Sequence, residues 1–121
     1  MNIQNFRQLK VWEKSHILTL KIYNHTKSFP REELYGLTSQ IRRAASSIPT
    51  NIAEGSGQNS DAQLARYIQI AMGSACEVEN QLLLTRDLDY INTAHYSELE
   101  KDIIEIKKML ASFLKKLRAN S

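Results

Sequence analysis

The chain of 121 residues contains one cysteine, two prolines and four glycines. Because Cys76 has no second cysteine to pair with, an internal disulfide is excluded, and a reducing cytoplasm is the expected compartment. Aromatic residues account for only 7% of the chain, and its longest run of leucines covers residues 82–84. Without a longer apolar run, we expect neither a signal peptide nor a membrane-spanning helix.

The residues that are present fit one soluble domain covering residues 1–121, since 42% are hydrophobic and 24% are charged. The net charge is +3, but it is unevenly distributed. Residues 1–30 hold five Lys or Arg and one acid, whereas residues 61–90 hold two Lys or Arg and five acids. This asymmetry is compatible with binding to nucleic acid, to an acidic protein or to another copy of the chain.

Apolar residues recur at helical spacing in four segments. The first segment runs from Leu9 to about Phe29, and Pro30 ends it. The second stops at the glycines around Ser56, and its apolar stripe consists of Leu37, Ile41, Ala44, Ala45, Ile48 and Ile52. Each of these segments is long enough for a helix with one buried face.

The remaining two segments show the same period. Ser60 suits a helix N-cap, and the face predicted to be buried after it consists of Leu64, Tyr67, Ala71, Ala75, Val78 and Leu82. The last segment alternates steps of three and four residues through Tyr96, Leu99, Ile103, Ile106, Leu110, Phe113 and Leu117. Strand-type clusters are almost absent and the connections are short. We therefore predict an all-α fold, an antiparallel up-down-up-down four-helix bundle.

Pro49 interrupts the second predicted helix. It has no N–H to donate to the carbonyl of Ala45, so we expect the helix to kink near this position. The hydroxyl of Ser46 or Ser47, or a water molecule, is expected to bind the released carbonyl. Small residues on this helix and in the AMGSA stretch at residues 71–75 predict close packing of the second helix on the third.

Several polar residues accompany these small ones. Asn51 and Glu54 lie on the second segment, and Glu77 lies on the third, so the two carboxylates and the amide are candidates for a polar core or a subunit contact. Fixing the register of the bundle and direct contact with a ligand both remain open at this point. Arg42 and Arg43 are adjacent, so at most one of them can face the core. We expect the other to pair with an acid such as Glu33 or Glu77, in this chain or in a neighbouring one.

The first helix carries a basic stripe. At about 100° per residue, Arg7, Lys10, Lys14 and Lys21 fall within roughly 60° of arc. Such a stripe is either a nucleic-acid-binding surface, with sequence-independent and salt-sensitive affinity, or an ordinary solvated face. On the last helix, Lys101, Lys108 and Lys115 recur every seven residues but are diluted by acids, and a solvated face is the better interpretation.

Motifs of enzymes are incomplete. Glu13 and His16 form one Glu-x-x-His, but a di-iron bundle site needs two such motifs, and the second is missing. The glycines around Ser56 lack the lysine of a phosphate-binding loop. Cys76 sits near the buried stripe and is interpreted as an inert core thiol. We therefore predict a protein without catalytic residues, metal or other cofactor.

The whole pattern resembles a known family. The run FPREELYGLTSQIRRAASSIPTNIAEG, with LKVWEKS before it and YIQIAMGSACEVENQLLLTRDLDYI after it, is similar to the four-helix bundle proteins found as reading frames in intervening sequences of bacterial large-subunit ribosomal RNA. Proteins of this family are often labelled ribosomal proteins. The resemblance implies a left-handed bundle and a homopentameric ring. It also implies similarity to the accessory proteins of diversity-generating retroelements, which bind nucleic acid and a reverse transcriptase.

Two positions depart from the family pattern. Gln58 stands where relatives often carry a basic residue, which removes a phosphate contact from that loop. Asp89 stands where glycine commonly precedes a Tyr-Ile pair, so we expect the turn before the last helix to close differently.

Two functions follow as hypotheses. In the first, the protein is a non-enzymatic homo-oligomeric ring that binds RNA or DNA, or an associated polymerase, through the basic stripe. In the second, it is a protein–protein adaptor or structural assembly without a role in nucleic-acid binding.

Overall fold

The computed structural model describes residues 5–119, which form four α-helices and no strand. The helices are α1 (Lys10–His25), α2 (Leu37–Ser56), α3 (Asp61–Asp87) and α4 (Thr93–Ala119). Short 3₁₀ turns lie at Phe6–Gln8, Thr26–Ser28 and Arg31–Glu33. The predicted all-α four-helix bundle is confirmed.

Local sequence explains how α3 begins and ends. The Ser60 hydroxyl accepts a hydrogen bond of 3.2 Å from the backbone N–H of Gln63, which confirms the predicted N-cap. At the other end, the N–H of Tyr90 donates to the carbonyl of Thr85, and that of Asp89 to the carbonyl of Arg86. Asp89 has a φ of 59°, the left-handed conformation that favours glycine at this position. Asp89 thus closes the turn in a conformation typical of glycine, and a difference from relatives with glycine stays a prediction.

The core collects one stripe from each helix. Its side chains are almost completely shielded from solvent and include Leu18, Ile22, Ile41, Ile48, Ile52, Ile68, Leu82, Leu99, Ile103, Ile106, Leu110 and Leu117. Two predicted positions differ: Tyr67 and Phe113 are half-buried, and the next residues, Ile68 and Leu114, are buried instead. An α-helix turns every 3.6 residues, so a strict seven-residue repeat drifts off the core after several turns.

The contacts of α1 with α2 and with α4 occur in reverse order along the paired helices. Thr19 of α1 contacts Ala45 of α2, whereas the later residue Thr26 contacts the earlier Arg42. Lys21 contacts Glu98 of α4, whereas Lys14 contacts Glu105. We interpret this order as antiparallel packing. The handedness of the bundle and a kink at Pro49 stay predictions.

Pro49 lies inside α2, which continues through it to Ser56. The carbonyl of Ala45, four residues earlier, accepts a hydrogen bond of 3.1 Å from the Thr19 hydroxyl of α1. The expectation that Ser46 or Ser47 would bind this carbonyl is wrong: Ser46 donates to the carbonyl of Arg43. Ser47 is instead engaged with Asn51 and with α3.

Candidate functional site

An apolar groove lies along the junction of α1 and α2. Its volume is about 550 Å³, and it is lined by Phe6, Trp12, His16, Thr19, Leu20, Tyr23, Ser46, Pro49, Thr50, Ala53 and Glu54. Leu20 is 58% exposed and Tyr23 is 42% exposed. Hydrophobic side chains of this size usually avoid water on a monomer when they are clustered, so the groove is a candidate contact surface.

Aromatic rings in contact with one another form one wall of the apolar groove. Trp12 and His16 are one helical turn apart, and their rings stack with centroids 4.8 Å apart. Phe6 packs edge-on against Trp12 at 5.2 Å. This wall is therefore prearranged, because each ring restricts the rotamers of the next.

A polar groove continues from the apolar one. Tyr23 and Ser46 line both, and the polar groove adds Leu34, Tyr35, Thr38, Ser39, Arg42 and Arg43 around about 480 Å³. Arg42 is anchored here: its Nε donates to the Thr26 hydroxyl at 2.8 Å, and its guanidinium lies 4.8 Å from the ring centroid of Tyr23. All these partners are electrically neutral.

Neither acid predicted to pair with the two arginines contacts them: Glu33 binds other groups, and Glu77 is exposed. Glu33 accepts a hydrogen bond of 2.9 Å from the Tyr90 hydroxyl and one of 3.3 Å from the N–H of Leu37 at the start of α2. Arg43 is exposed and forms no ion pair within residues 5–119, and Glu77 is also exposed. Pairing of Arg42 or Arg43 with Glu33 or Glu77 within the chain is thus wrong. The hydrogen bond to Glu33 raises the pKa of Tyr90.

The basic stripe of α1 faces acids of α4. Lys21 lies 2.8 Å from a carboxylate oxygen of Glu98 and 2.9 Å from one of Asp102. Lys14 lies 3.3 Å from Glu105 and 3.7 Å from Asp102. Hydrogen bonds to Glu98 and Asp102 raise the pKa of Lys21, and the Lys21 ammonium lowers the pKa of Glu98. Of the four predicted residues, Arg7 and Lys10 form no ion pair within the described part of the chain.

The predicted polar core divides into an inner network and two exposed carboxylates. The Asn51 amide donates to the carbonyl of Ser47 at 2.8 Å and reaches its hydroxyl at 2.9 Å. The Ser74 hydroxyl of α3 donates to the Ser47 hydroxyl at 2.9 Å, so this chain of hydrogen bonds joins α2 to α3. Glu54 and Glu77 are exposed and do not join it.

Other candidates for chemistry are dispersed. Cys76 is exposed, so its interpretation as a core thiol is wrong. Within residues 5–119, no three His, Cys, Asp or Glu side chains are grouped closely enough to hold a metal ion. None of the helices in that range combines the length and the apolar character needed to cross a bilayer.

Sequence reasoning missed two features of this face. Thr19 binds the free carbonyl beside Pro49, and only the packing of α1 on α2 brings them together. Tyr35 is 94% exposed, and the loop that contains it borders the polar groove. A signal for the second feature was present, since Leu34-Tyr35 is an apolar pair in a linker between two helices.

These four packed helices place the chain among four-helix bundle proteins. The chain belongs to the family described as 23S rRNA-intervening sequence protein, which it matches over residues 7–112. The family predicted from the sequence is therefore confirmed.

A solved structure of similar fold comes from Bacteroides thetaiotaomicron and is described as a protein with unknown function from the S23 ribosomal protein family. It is 32% identical to this chain, superposes with a TM-score of 0.80, and the match covers 87% of this chain and 95% of that one. No curated protein matches the chain. Neither the family description nor that of the solved structure names a reaction.

Proposed function

We propose that this protein is a non-enzymatic scaffold that assembles into a homo-oligomeric ring and binds RNA. The observation that carries the assembly is the apolar groove between α1 and α2, with Leu20 58% exposed beside stacked aromatic rings. A second copy of the chain that covers the groove removes these side chains from water, at roughly 25 cal/mol per Å² of apolar surface. A ring of five is the assembly that the family resemblance implies.

Binding of RNA rests on charge and on family membership. The family description refers to an intervening sequence of 23S rRNA, and the chain carries a net charge of +3. Lys10 is exposed at the start of α1, and Arg7 is exposed in the 3₁₀ turn before it. Lys14 and Lys21 contribute less, because α4 carboxylates already neutralise them. Repetition of the stripe around a ring multiplies the phosphates that one assembly contacts.

The assembly is tested by native mass spectrometry of the protein as purified. We expect a closed oligomer for the parent and a monomer for Leu20→Lys, because a charge in the centre of the groove cannot be buried without a partner. Ile70→Lys is the matched control, since Ile70 is 46% exposed on α3 and lies outside both grooves. A parent that is monomeric, or a groove occupied by a different protein that co-purifies, contradicts self-assembly.

RNA binding is tested by titration at several salt concentrations. We expect affinity to fall steeply as salt rises, and the triple replacement of Lys10, Lys14 and Lys21 by Gln to reduce the salt slope. The same replacement of the α4 residues Lys101, Lys108 and Lys115 removes equal charge and is the control. Equal losses in the two triple variants show that the stripe is an ordinary solvated face.

A further inference from the structure

The polar groove is a basic pocket without a carboxylate in its wall. Its lining residues are two arginines, a threonine, two serines, two tyrosines and a leucine, namely Arg42, Arg43, Thr38, Ser39, Ser46, Tyr23, Tyr35 and Leu34. At about 480 Å³ it is large enough for a ligand rather than for a single water molecule. A ligand that suits this wall is negatively charged and carries several hydrogen-bond acceptors.

The positive charge in this groove is uncompensated. Arg42 hydrogen-bonds to a hydroxyl and to a backbone carbonyl, and Arg43 forms no ion pair within residues 5–119. Lys14 and Lys21 on the other side of α1 are different, because each contacts two carboxylates. The two guanidiniums therefore attract an anion more strongly than Lys14 and Lys21 do, and the planar guanidinium of Arg43 is available to donate several hydrogen bonds.

One hydroxyl in the groove has no hydrogen-bond partner among the described residues. It is Oγ1 of Thr38, a residue that is only 3% exposed. A buried hydroxyl without a partner is costly, so polar groups of this kind are normally satisfied. Ser39 and Ser46 line the same groove and supply further donors at its surface.

Next to the cations lies an aromatic surface. Tyr35 is 94% exposed and Leu34 is 46% exposed, in the short segment that joins the Arg31–Glu33 turn to α2. An exposed tyrosine ring beside arginines is the combination on which bases of single-stranded nucleic acids stack while their phosphates bind the cations.

We propose that the polar groove binds one nucleotide of single-stranded RNA, with the phosphate on Arg43 and the groove hydroxyls and the base stacked on Tyr35. Arg42 positions this site, because its bonds to Thr26 and Tyr23 fix its guanidinium against α1. The inference rests on the proposed binding of RNA and adds the α2 arginines to the contacts made by the basic stripe.

The test compares the binding of a short oligouridylate, of UMP and of inorganic phosphate, followed by mapping of the ultraviolet cross-link. We expect Arg43→Gln to weaken the binding of the oligonucleotide at least ten-fold at low salt. Arg66→Gln is the matched control, since Arg66 is exposed on α3 and forms no ion pair within the described residues. Tyr35→Ala is expected to cost about ten-fold, and Tyr35→Phe much less, because a phenylalanine ring still stacks.

The outcomes separate this inference from the proposed function. A cross-link to the peptide that contains Tyr35, together with the Arg43 effect, supports the groove. Equal effects of Arg43→Gln and Arg66→Gln, or a cross-link confined to α1 or α4, overturn the groove while RNA binding stands. Binding of UMP or phosphate as tight as that of the oligonucleotide overturns the single-strand ligand in favour of a free nucleotide or anion. Failure of the parent to bind any RNA overturns both proposals.

Discussion

Single residues at the contact of α2 with its neighbours determine how closely the helices pack. Pro49 leaves the carbonyl of Ala45 without its usual donor, and the Thr19 hydroxyl of the neighbouring helix replaces it at 3.1 Å. The same hydroxyl lies 2.8 Å from the carbonyl of Ser15 in α1, so its single proton is shared between this carbonyl and that of Ala45 in α2. Thr19 is only 9% exposed, and water therefore has little access to this carbonyl.

Thr19→Val keeps the shape of the side chain and removes the hydroxyl. We expect the free energy of unfolding to fall by about 1–3 kcal/mol, because the carbonyl of Ala45 is left without a donor. Urea denaturation measures the loss. Ser46→Ala is the control, and it should change stability by less than about 0.5 kcal/mol because Ser46 bonds only within its own helix turn. A larger loss for Ser46→Ala than for Thr19→Val would contradict this assignment.

Two glycines differ in the space available to an added methyl group. A Cβ on Gly55 would lie 2.8 Å from Leu64 Cδ1 and 2.9 Å from Tyr67 Cβ, so Gly55 lets α2 approach the start of α3. A Cβ on Gly73 in α3 meets nothing within 4 Å.

We therefore expect Gly55→Ala to destabilise the bundle by about 1–3 kcal/mol through overpacking. Gly73→Ala is its matched partner and should stabilise by about 0.5–1 kcal/mol, because alanine lowers the entropy of the unfolded chain and favours helix. Thermal unfolding of the two variants side by side is the measurement, and a shift of the same sign in both would refute the packing argument.

At the scale of elements, α1 and α4 are joined by ion pairs and by a contact between two histidine rings. Lys14 and Lys21 pair with acids of α4 along one edge. Near the end of α1, the rings of His25 and His95 lie with centroids 4.5 Å apart. His95 is in the first turn of α4, where the helix dipole disfavours a positive charge. This contact is thus suited to a neutral His25 ring.

This histidine contact predicts lower stability in mild acid. Burial, and secondarily the neighbouring His95, lower the pKa of His25 in the folded chain, and Lys21 lowers it further while Glu98 opposes the shift. Between the lowered value and the ordinary value of about 6.5, the unfolded chain binds more protons than the folded one. The contribution of His25 to stability is therefore present above about pH 6.5 and is lost as the pH falls below it.

Denaturation curves at about pH 7.5 and about pH 5.5 test this pH dependence. We expect His25→Gln to reduce the difference in unfolding free energy between the two conditions. His16→Gln serves as the control, since His16 stacks on Trp12 away from this contact, and it should keep the difference of the parent. An unchanged difference in His25→Gln argues that other groups are responsible for the acid sensitivity.

At the scale of the whole molecule, the proposed assembly couples stability to protein concentration. A folded chain that associates through the apolar groove is stabilised by mass action, whereas an unfolded chain cannot associate in this way. We expect the midpoint of thermal unfolding to rise as the protein is concentrated, and Leu20→Lys to abolish that rise. Ile70→Lys should behave as the parent. A midpoint that is independent of concentration in the parent indicates a monomer.

The sequence by itself determined the helices, their approximate ends and most of the core. Apolar spacing identified the stripes that meet in the interior, and Ser60 was recognised as an N-cap, because both depend on residues within a few positions of each other. Family membership was also readable, since the sequence around Pro49 resembles the family that the chain matches over residues 7–112.

Tertiary structure alone decided which polar side chains bind partners far away in the sequence. Thr19 and Ala45 are 26 residues apart, and Tyr90 and Glu33 are 57 apart, so no local pattern relates them. For the same reason the neutral partners of Arg42 within the chain and the exposure of Cys76 were not foreseen. Helical spacing predicts which side of a helix a residue occupies. The neighbour across from it depends on the relative rotation and height of two packed helices, and that is a property of the assembled bundle.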